Sequence, residues 1–184
     1  MSDLEKQDLK NKKVIVRVDL NVPLDDNDNV TDTTRIVACK ETVDLILEKG
    51  GTCILISHLG RPKGKENKFS LKKIVDTVSS VLNHPVFFYE DCVGLGAQEA
   101  ISKLDQGSII LMENLRFYEE ETLGDRVFAK NLSELGDIYV NDAFGTCHRE
   151  HASTAVIAQY FENKKFAGKL LQKELEAINQ IANN

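Results

Sequence analysis

Long apolar runs are missing from this sequence of 184 residues. A helix that spans a bilayer needs about 20 consecutive, mostly apolar residues, and no stretch here approaches that length. Residues 1–13 are mostly polar or charged and do not resemble a signal peptide, which has an apolar middle region. These absences predict a protein that lies in the cytoplasm and has no membrane partner.

Closely spaced cysteines are missing as well. The cysteines are Cys39, Cys53, Cys92 and Cys147, and no two of them form a C-x-x-C pair. Close spacing is typical of metal sites and redox motifs, and disulfides are typical of secreted proteins. We therefore expect reduced thiols that are mostly buried.

An excess of positive charge is also missing. The sequence has 23 Lys and Arg residues against 29 Asp and Glu residues, and its formal net charge is −6. Proteins that bind a nucleic-acid backbone usually carry a basic field over a whole face, so we expect no nucleic-acid partner. A hydrophobic fraction of 42% and a charged fraction of 28% are typical of a soluble globular protein. The length fits a single domain.

Strand-like and helix-like segments alternate along the sequence. Short runs rich in β-branched residues predict buried strands at 13–18, 53–57, 86–89, 109–112 and 138–140. Longer stretches with helical spacing of apolar residues predict helices at 34–49, 71–82, 93–104 and 122–135. Strands separated by helices imply right-handed βαβ units. The predicted fold class is α/β, a Rossmann-like three-layer α/β/α arrangement around a parallel sheet.

The sequence after Ala152 predicts helix to its end, in two pieces divided near Gly168. The last piece, 169–182, carries one apolar stripe. This stripe consists of Leu171, Leu175 and Ile178. Such a helix either packs on its own domain or leads to a part of a protein outside this sequence, and the pattern leaves both interpretations open.

Arginine and histidine follow four of the five predicted strands. In open parallel sheets, ligands bind just beyond the carboxyl ends of the strands, so these side chains should meet at one edge. Strand 86–89 is the exception, because Glu90 and Asp91 follow it. The basic residues at the other strand ends are Arg17, His58, Arg61, Arg116, His148 and Arg149. This arrangement predicts a site for a small anion.

The end of the first predicted strand has the sharpest local pattern. Alternation places Arg17, Asp19 and Asn21 on one side, and Pro23 ends the ladder. Asp19 and Asn21 can orient hydroxyl groups, while Arg17 adds positive potential. Two other interpretations stay open. One is a polar strand end that makes a turn. The other is a phosphatase of the Asp-x-Asp type, in which Asn21 would replace the second carboxylate.

Arg35 and the turn at 57–62 support the anion site. Arg35 stands in the first turn of its predicted helix, where the macrodipole disfavours a cation by a few tenths of a kcal/mol. A locally unfavourable charge hints at function, although a solvated surface arginine is the alternative. His58 and Arg61 share one tight turn, which fits a bound anion better than a structural histidine.

The histidines at 148 and 151 do not predict a metal site. His148 and His151 are three residues apart and could share a helix face, but Arg149 lies between them and no third ligand is evident. We expect no metal in this chain.

The number of arginines indicates the shape of the ligand. A guanidinium is a planar fork of donors that pairs with two oxygens of a phosphate or carboxylate. Two or three guanidinium groups satisfy one phosphate, and this sequence has more candidate arginines than that. They are Arg17, Arg35, Arg61, Arg116 and Arg149. The surplus predicts a ligand with two anionic ends, such as a phosphorylated carboxylic acid.

With these residues assembled, the sequence strongly resembles the phosphoglycerate kinase family. Four segments are similar to motifs of that family and occur in the same order. They are 14–23 (VIVRVDLNVP), 57–62 (SHLGRP), 113–117 (ENLRF) and 141–153 (NDAFGTCHREHAS). Residues 173–175 (KEL) resemble the start of its interdomain helix. The resemblance covers essentially the whole chain.

The resemblance implies a kinase of glycolysis that reversibly transfers a phosphoryl group between 1,3-bisphosphoglycerate and ADP, giving 3-phosphoglycerate and ATP. The family has two Rossmann-like domains joined by a helix, and its carboxyl-terminal domain binds Mg-ATP. Residues 1–168 would be the domain that binds 3-phosphoglycerate, and 169–184 the start of the interdomain helix. The family's Gly-Gly-Ala-Lys segment does not occur here. We therefore expect a monomer that needs the nucleotide domain as a partner and binds substrate without turning it over alone.

The resemblance also assigns a role to each candidate residue. Asp19 and Asn21 would contact the hydroxyl and carboxylate end of the substrate. Arg35 would neutralise the transferring phosphoryl group and would be the catalytic residue. The phosphate would be bound by His58, Arg61, Arg116 and Arg149, and the basic patch would be completed by Arg17, His148 and His151. A phosphatase of the Asp-x-Asp type and a non-catalytic module that binds phospho-acids remain the alternatives.

Overall fold

A single parallel sheet organises the chain. The structure is a computed structural model that describes residues 3–147 and 149–182. The strands are β1 (Lys13–Arg17), β2 (Thr52–Ile56), β3 (Val86–Tyr89), β4 (Ile109–Met112), β5 (Ile138–Asn141) and β6 (Lys165–Ala167). They form a 6-stranded sheet in the order β3-β4-β2-β1-β5-β6, and every neighbouring pair is parallel. The prediction of a parallel α/β sheet is confirmed.

Helices connect the strands and cover both faces of the sheet. They are α1 (Thr34–Glu48), α2 (Val75–Leu82), α3 (Leu95–Ser102), α4 (Glu119–Leu123), α5 (Arg126–Ser133) and α6 (Lys169–Ala182). Short 3-10 turns and one π turn complete the connections. They are Leu4–Lys6, Asn67–Phe69, Leu71–Ile74, Leu115–Phe117, Phe144–Thr146, Ala152–Val156 and Ile157–Tyr160.

Two apolar cores lie on opposite faces of the sheet because successive side chains of a strand point to opposite sides. In β1, Val14 and Val16 belong to the core under α1 and α2. Ile15 belongs to the other core, which includes Ala97 of α3 and Phe128 of α5. All three β1 side chains are fully buried. This arrangement is the three-layer α/β/α architecture, and it places the strand ends, and not the strand faces, within reach of solvent.

The helix predicted over 122–135 is wrong as a single element, because the structure contains α4 and α5 in its place. The first helix ends at Gly124, whose φ is +65°. A side chain there would meet the carbonyl oxygen of Glu150 at 2.4 Å from its Cβ. Asp125 then begins α5 as its N-cap, and its side chain accepts a hydrogen bond from the N–H of Phe128 at 2.7 Å.

The continuous helix predicted after Ala152 is also wrong. Two irregular turns come first, followed by β6, which pairs with β5 through Phe166 opposite Val140. Phe166 is 3% exposed. A strand of three residues is too short to produce a recognisable period of two, so burial against β5 decides its conformation. The predicted division near Gly168 is confirmed, since α6 begins at Lys169.

The apolar stripe of α6 is only partly covered. The start of the helix packs on α1, and Leu171 is 4% exposed. Leu175 and Ile178 are 38% and 47% exposed. The first turn therefore packs on its own domain, as one of the two interpretations requires, while the rest of the stripe faces outward. The division of the chain at residue 168 stays a prediction.

Two other predictions from composition can be compared with the structure. The cysteines are free thiols, and Cys39, Cys53 and Cys92 are buried while Cys147 is partly exposed. Within the described part of the chain, no helix is long and apolar enough to cross a membrane.

Candidate functional site

The predicted substrate contacts meet in one cavity beyond the carboxyl ends of the strands. The cavity has a volume of about 270 Å³. It is lined by Asp19, Asn21, Arg35, His58, Gly60, Arg61, Arg116, Gly145, Thr146 and Arg149. Every residue that the family resemblance implies as a substrate contact is in this set. The loops after β1, β2, β4 and β5 and the first turn of α1 bring them together, as the strand-end argument requires.

Asp19 and Arg35 form an ion pair at one side of the cavity. Their closest oxygen and nitrogen atoms are 2.5 Å apart, and the side chains are 21% and 50% exposed. The carboxylate offsets the unfavourable position of Arg35 in the first turn of α1. Arg35 is therefore held over the cavity by a residue that also lines it, and is not an isolated surface arginine.

Asn21 connects the loop after β1 to the loop after β2. Its Oδ1 accepts a hydrogen bond from the N–H of Gly60 at 2.8 Å. Because Oδ1 is the acceptor, the amide nitrogen of Asn21 remains available to donate to a ligand oxygen. Gly60 has a φ of +64°, and a Cβ there would lie 2.5 Å from the ring of Phe69. Only glycine fits this turn without displacing Phe69.

Asn114 and Glu113 build the next loop, and the sequence prediction did not include them as site residues. Asn114 is fully buried, and its amide nitrogen donates to the carbonyl oxygens of Leu59 and Phe69 at 2.8 and 2.9 Å. Glu113 accepts a hydrogen bond from the hydroxyl of Ser70 at 2.6 Å. The signal that could have identified them is a pair of polar residues directly after a fully buried strand.

Three arginines leave their charge available to a ligand. Arg61, Arg116 and Arg149 form no ion pair with any carboxylate of residues 3–147 and 149–182. Arg116 donates to the carbonyl oxygen of Gly60 at 2.9 Å, which orients its guanidinium. Burial lowers the pKa of Arg116, and the charges of Arg17 and Arg149 lower it further. Grouped cations without counter-ions are the electrostatic condition for binding an anion.

Arg17 lies beneath this group and does not line the cavity. It is 1% exposed, and its Nε donates to Ser153 Oγ at 2.9 Å. Its Nη2 lies 3.1 Å from Nδ1 of His58. Alternation along the strand predicts Arg17 beside Asp19 and Asn21, but these buried partners hold it in the interior.

His58 connects the buried arginine to the cavity. It is 4% exposed and lines the cavity. Burial lowers its pKa to about 2, and the charges of Arg17 and Arg116 act in the same direction. The imidazole is therefore neutral at physiological pH.

A second cavity of about 540 Å³ adjoins the first and shares three of its arginines, Arg61, Arg116 and Arg149. His151 lines this second cavity, and its Nδ1 is 4.0 Å from Glu121 Oε1. Burial lowers the pKa of His151, although Glu121 opposes the shift. The prediction for His148 falls outside the described residues. No group of His, Cys, Asp and Glu suited to a metal ion occurs in the described ranges.

The sheet and the arginine-lined cavity together define a Rossmann-like α/β protein with a candidate site for a small anion. Comparison with known proteins narrows this class to one family. The sequence model of phosphoglycerate kinase matches residues 3–184, and the chain belongs to the phosphoglycerate kinase family. The resemblance found in the four motifs is confirmed. The interpretation as a phosphatase of the Asp-x-Asp type is not favoured.

Curated relatives and solved structures agree with this assignment. The chain is 49% identical over 181 residues to cytosolic phosphoglycerate kinase 3 of Arabidopsis thaliana, covering 98% of this chain and 45% of that protein. It is 48% identical over 184 residues to chloroplastic phosphoglycerate kinase 2 of the same plant, covering 100% of this chain and 38% of that protein. The chain thus spans less than half the length of these relatives.

Two solved structures have the same fold. The crystal structure of phosphoglycerate kinase from Pyrococcus horikoshii superposes with a TM-score of 0.88 at 32% identity, over 98% of this chain and 45% of that one. The enzyme from Coxiella burnetii gives a TM-score of 0.84 at 36% identity, over 96% of this chain and 44% of that one.

Proposed function

We propose that this chain is the substrate-binding part of a phosphoglycerate kinase and binds 3-phosphoglycerate in the cavity of about 270 Å³. The complete enzyme would reversibly transfer a phosphoryl group between 1,3-bisphosphoglycerate and ADP, giving 3-phosphoglycerate and ATP. One observation carries the proposal. The residues that the family motifs imply as substrate contacts come from separate loops and line a single cavity.

The charges around the cavity match a ligand with two anionic ends. Arg61, Arg116 and Arg149 form no ion pairs within the described ranges and would bind the phosphate. Asn21 offers an amide donor and Asp19 a carboxylate acceptor, which suit the hydroxyl and carboxylate end. The volume is close to the lower limit for small-molecule sites, which favours a compact three-carbon acid over a nucleotide.

Arg35 is the proposed catalytic residue. In the structure it pairs with Asp19 at 2.5 Å and is half exposed, so a modest movement of the side chain would bring its charge to a transferring phosphoryl group. Phosphoryl transfer depends mainly on positioning and on neutralising charge on the transferring oxygens. Arg35 would supply part of that neutralisation from this side of the reaction.

The remaining assignments follow from family membership. Residues 1–168 would form the substrate domain and 169–184 the start of the interdomain helix. Mg-ATP or Mg-ADP would be a substrate held mainly by a second domain, and a polypeptide of these 184 residues would bind 3-phosphoglycerate without turning it over. We propose a monomer, and a cytoplasmic location on the model of the relatives named as cytosolic.

A titration with matched ligands tests the proposed site. 3-Phosphoglycerate should perturb the side-chain NMR signals of Arg35, His58 and Arg149 at millimolar concentration or below. Glycerate lacks the phosphate and glycerol 3-phosphate lacks the carboxylate, and each should bind at least about tenfold more weakly, because each loses charge-assisted hydrogen bonds of about 1.5–3 kcal/mol. Unperturbed signals at millimolar 3-phosphoglycerate, or equal affinity for all three ligands, would contradict the two-ended site.

Mixing the chain with a nucleotide domain separates an enzyme from a binding module. The chain is mixed with a separately produced nucleotide domain of a relative, and ATP and 3-phosphoglycerate are added. If the chain is one half of an enzyme, the mixture should produce ADP, which neither component should produce alone. A module with no catalytic role would bind the ligand equally well but would give no ADP in the mixture.

A further inference from the structure

A fully buried polar network lies behind the candidate site, and the proposed function gives it no role. It consists of Arg17 at the end of β1, Glu121 in α4, Ser153 in the π turn and His58 in the loop after β2. Arg17, Glu121 and Ser153 are at most 1% exposed. Burying two opposite charges is costly unless both are well hydrogen-bonded, so the hydrogen bonds of each charge decide what the network does.

Ser153 joins the two charges. Its hydroxyl accepts a hydrogen bond from Nε of Arg17 at 2.9 Å and donates one to Oε1 of Glu121 at 2.5 Å. Its backbone N–H donates to Oε2 of Glu121 at 2.9 Å. Both oxygens of Glu121 are therefore occupied. The guanidinium of Arg17 is oriented by Ser153 and also by the carbonyl oxygen of Val18, which accepts a hydrogen bond from Nη1. Tyr139 holds the same turn from below, since its hydroxyl donates to the carbonyl oxygen of Ser153 at 2.8 Å.

The orientation of Arg17 determines the state of His58. Arginine has only donors, so Nη2 of Arg17, 3.1 Å from Nδ1 of His58, must donate to that nitrogen. Nδ1 is then an acceptor, and the single proton of the neutral ring is on Nε2. No described residue accepts a hydrogen bond from Nε2 of His58, and the ring lines the substrate cavity.

We propose that Glu121, Ser153 and Arg17 are positioning residues that hold His58 as the neutral Nε2–H tautomer, so that His58 donates a hydrogen bond to an oxygen of the bound phospho-acid. This inference rests on the proposed function for the identity of the ligand. The groups whose positive charge acts on His58 are Arg17, Arg116 and Arg35, and also His151 when it is protonated. These groups already supply the positive potential. The neutral imidazole therefore contributes a directed hydrogen bond to the ligand and no charge.

The tautomer can be measured directly in the ligand-free chain. Long-range ¹H–¹⁵N NMR on protein labelled at the histidine nitrogens distinguishes the two neutral tautomers from the charged ring, and a His58→Gln variant assigns the signals. At pH 5.5 the wild-type His58 should be neutral, with an unprotonated Nδ1 and a protonated Nε2. A proton on Nδ1, or a charged ring, would overturn the proposal.

Two variants test whether the network is responsible. Ser153→Ala removes the bridge between the charges. The double variant Arg17→Met/Glu121→Gln removes both charges together, so that neither is left buried alone. Each should convert the His58 signals to a mixture that includes protonated Nδ1, and should weaken 3-phosphoglycerate binding about fivefold to tenfold, the loss expected for one neutral hydrogen bond. The control Ser102→Ala alters an exposed serine of α3 and should change neither signal nor affinity.

The outcomes separate this inference from the proposed function. Variants that retain the wild-type His58 signals or the wild-type affinity would overturn the role of the network and leave the proposed function intact. If the wild-type chain shows the expected tautomer, and the variants disturb it, but 3-phosphoglycerate does not bind, the proposed function fails. In that case the result still supports the inference that the network fixes the tautomer of His58.

Discussion

The two ends of the sheet carry opposite charge. At the carboxyl end, the cavity of about 270 Å³ is surrounded by arginines and one neutral histidine. At the amino end, a larger cavity of about 430 Å³ lies between α3 and the turn before β5. Its charged lining residues are Lys13, Glu99, Glu134 and Asp137. A protein with a net charge of −6 therefore concentrates positive charge at one end of a single sheet.

This comparison shows that cavity size does not identify the site. The amino-end cavity is larger than the one lined by the predicted substrate contacts and smaller than the adjoining cavity of about 540 Å³, but its charges are partly satisfied within the protein. Asp137, for example, accepts a hydrogen bond from the N–H of Lys13 at 2.9 Å, and Glu134 accepts one from Gln98 at 3.2 Å. At the carboxyl end, Arg61 and Arg149 have no ion-pair partner in the part of the chain that the structure describes. The sign of the charge, mainly positive at the carboxyl end and mainly negative at the amino end, distinguishes the two ends.

The largest expected effect is on stability and comes from the buried arginine. Arg17→Met leaves Glu121 buried without its counter-charge, and this should lower the free energy of unfolding by about 3–5 kcal/mol. Urea denaturation followed by circular dichroism measures it. Arg61→Met, at an exposed arginine of the same end, is the matched control and should stay within about 0.5 kcal/mol. Equal effects of the two changes would contradict a distinction between buried and exposed arginines.

Alanine substitution at one glycine near each end of the sheet compares the packing of the two ends. Gly60 has a φ of +64° and Gly107 a φ of +80°, so alanine at either position should cost about 1 kcal/mol of backbone strain. A Cβ on Gly60 would also meet the Phe69 ring at 2.5 Å, whereas Gly107 has open space. Overpacking should raise the total for Gly60→Ala to about 2–4 kcal/mol. Denaturation midpoints measure both variants, and a Gly107→Ala variant as unstable as Gly60→Ala would refute the packing argument.

The charge difference between the two ends should appear in ligand affinity. Arg149→Gln removes a guanidinium that forms no ion pair in the described ranges, and should weaken 3-phosphoglycerate binding about 10- to 100-fold, as expected for hydrogen bonds to a charged group. Glu134→Gln at the amino end should change the dissociation constant less than about twofold, because a charge so far from the ligand is screened. Isothermal titration calorimetry measures both. If the two variants lost affinity equally, the ligand would not be bound at the carboxyl end.

The buried neutral histidine predicts a pH dependence of stability. The pKa of His58 falls from 6.5 to about 2 on folding, so the unfolded chain takes up a proton as the pH drops through about 6.5 and the folded chain does not. The free energy of unfolding should therefore fall by about 1.4 kcal/mol between about pH 7.5 and 5.5 from this group. The His58→Gln variant should have a flatter profile by that amount. Parallel profiles for the two proteins would show that His58 titrates similarly in both states.

The smallest expected effect is that of salt. Attraction between exposed arginines and a small anion is screened as ionic strength rises, so 3-phosphoglycerate affinity should drop severalfold between about 0.05 M and 0.5 M NaCl. Potassium glutamate at the same ionic strength serves as a comparison salt with a different anion. An affinity independent of both salt concentration and anion would indicate that binding does not depend on this charged group.

Much of the fold and of the site could be predicted from local patterns. The fully buried central strands are continuous apolar runs, as in β2, and such runs are typical of a parallel sheet that helices cover on both faces. From their positions in the sequence alone, the strand-end rule predicts one edge of the sheet for Asp19, His58, Arg116 and Arg149. Topology alone brings these residues to one edge.

The predictions of helix and of side-chain placement are wrong where contacts between residues distant in sequence override a local preference. The positive φ of Gly124 is coupled to the nearby carbonyl of Glu150, so a glycine inside an apparently helical pattern ends the helix. Phe166 extends the sheet because β5 offers an open edge and a buried surface. Arg17 follows the alternation of its strand, but its partner Ser153 lies 136 residues away. No local pattern contains that information.

The order of residues by itself determined the parallel α/β architecture, the family and the set of side chains at the carboxyl edge, because these depend on periodicity and on which residue follows each strand. Tertiary structure alone decided which arginines keep their charge available at the cavity and which one is buried and hydrogen-bonded in the interior. It also decided the proton position on His58. These properties depend on burial and on hydrogen-bond partners contributed by remote segments, and the free energy of a charge is set by those surroundings and not by its neighbours in sequence.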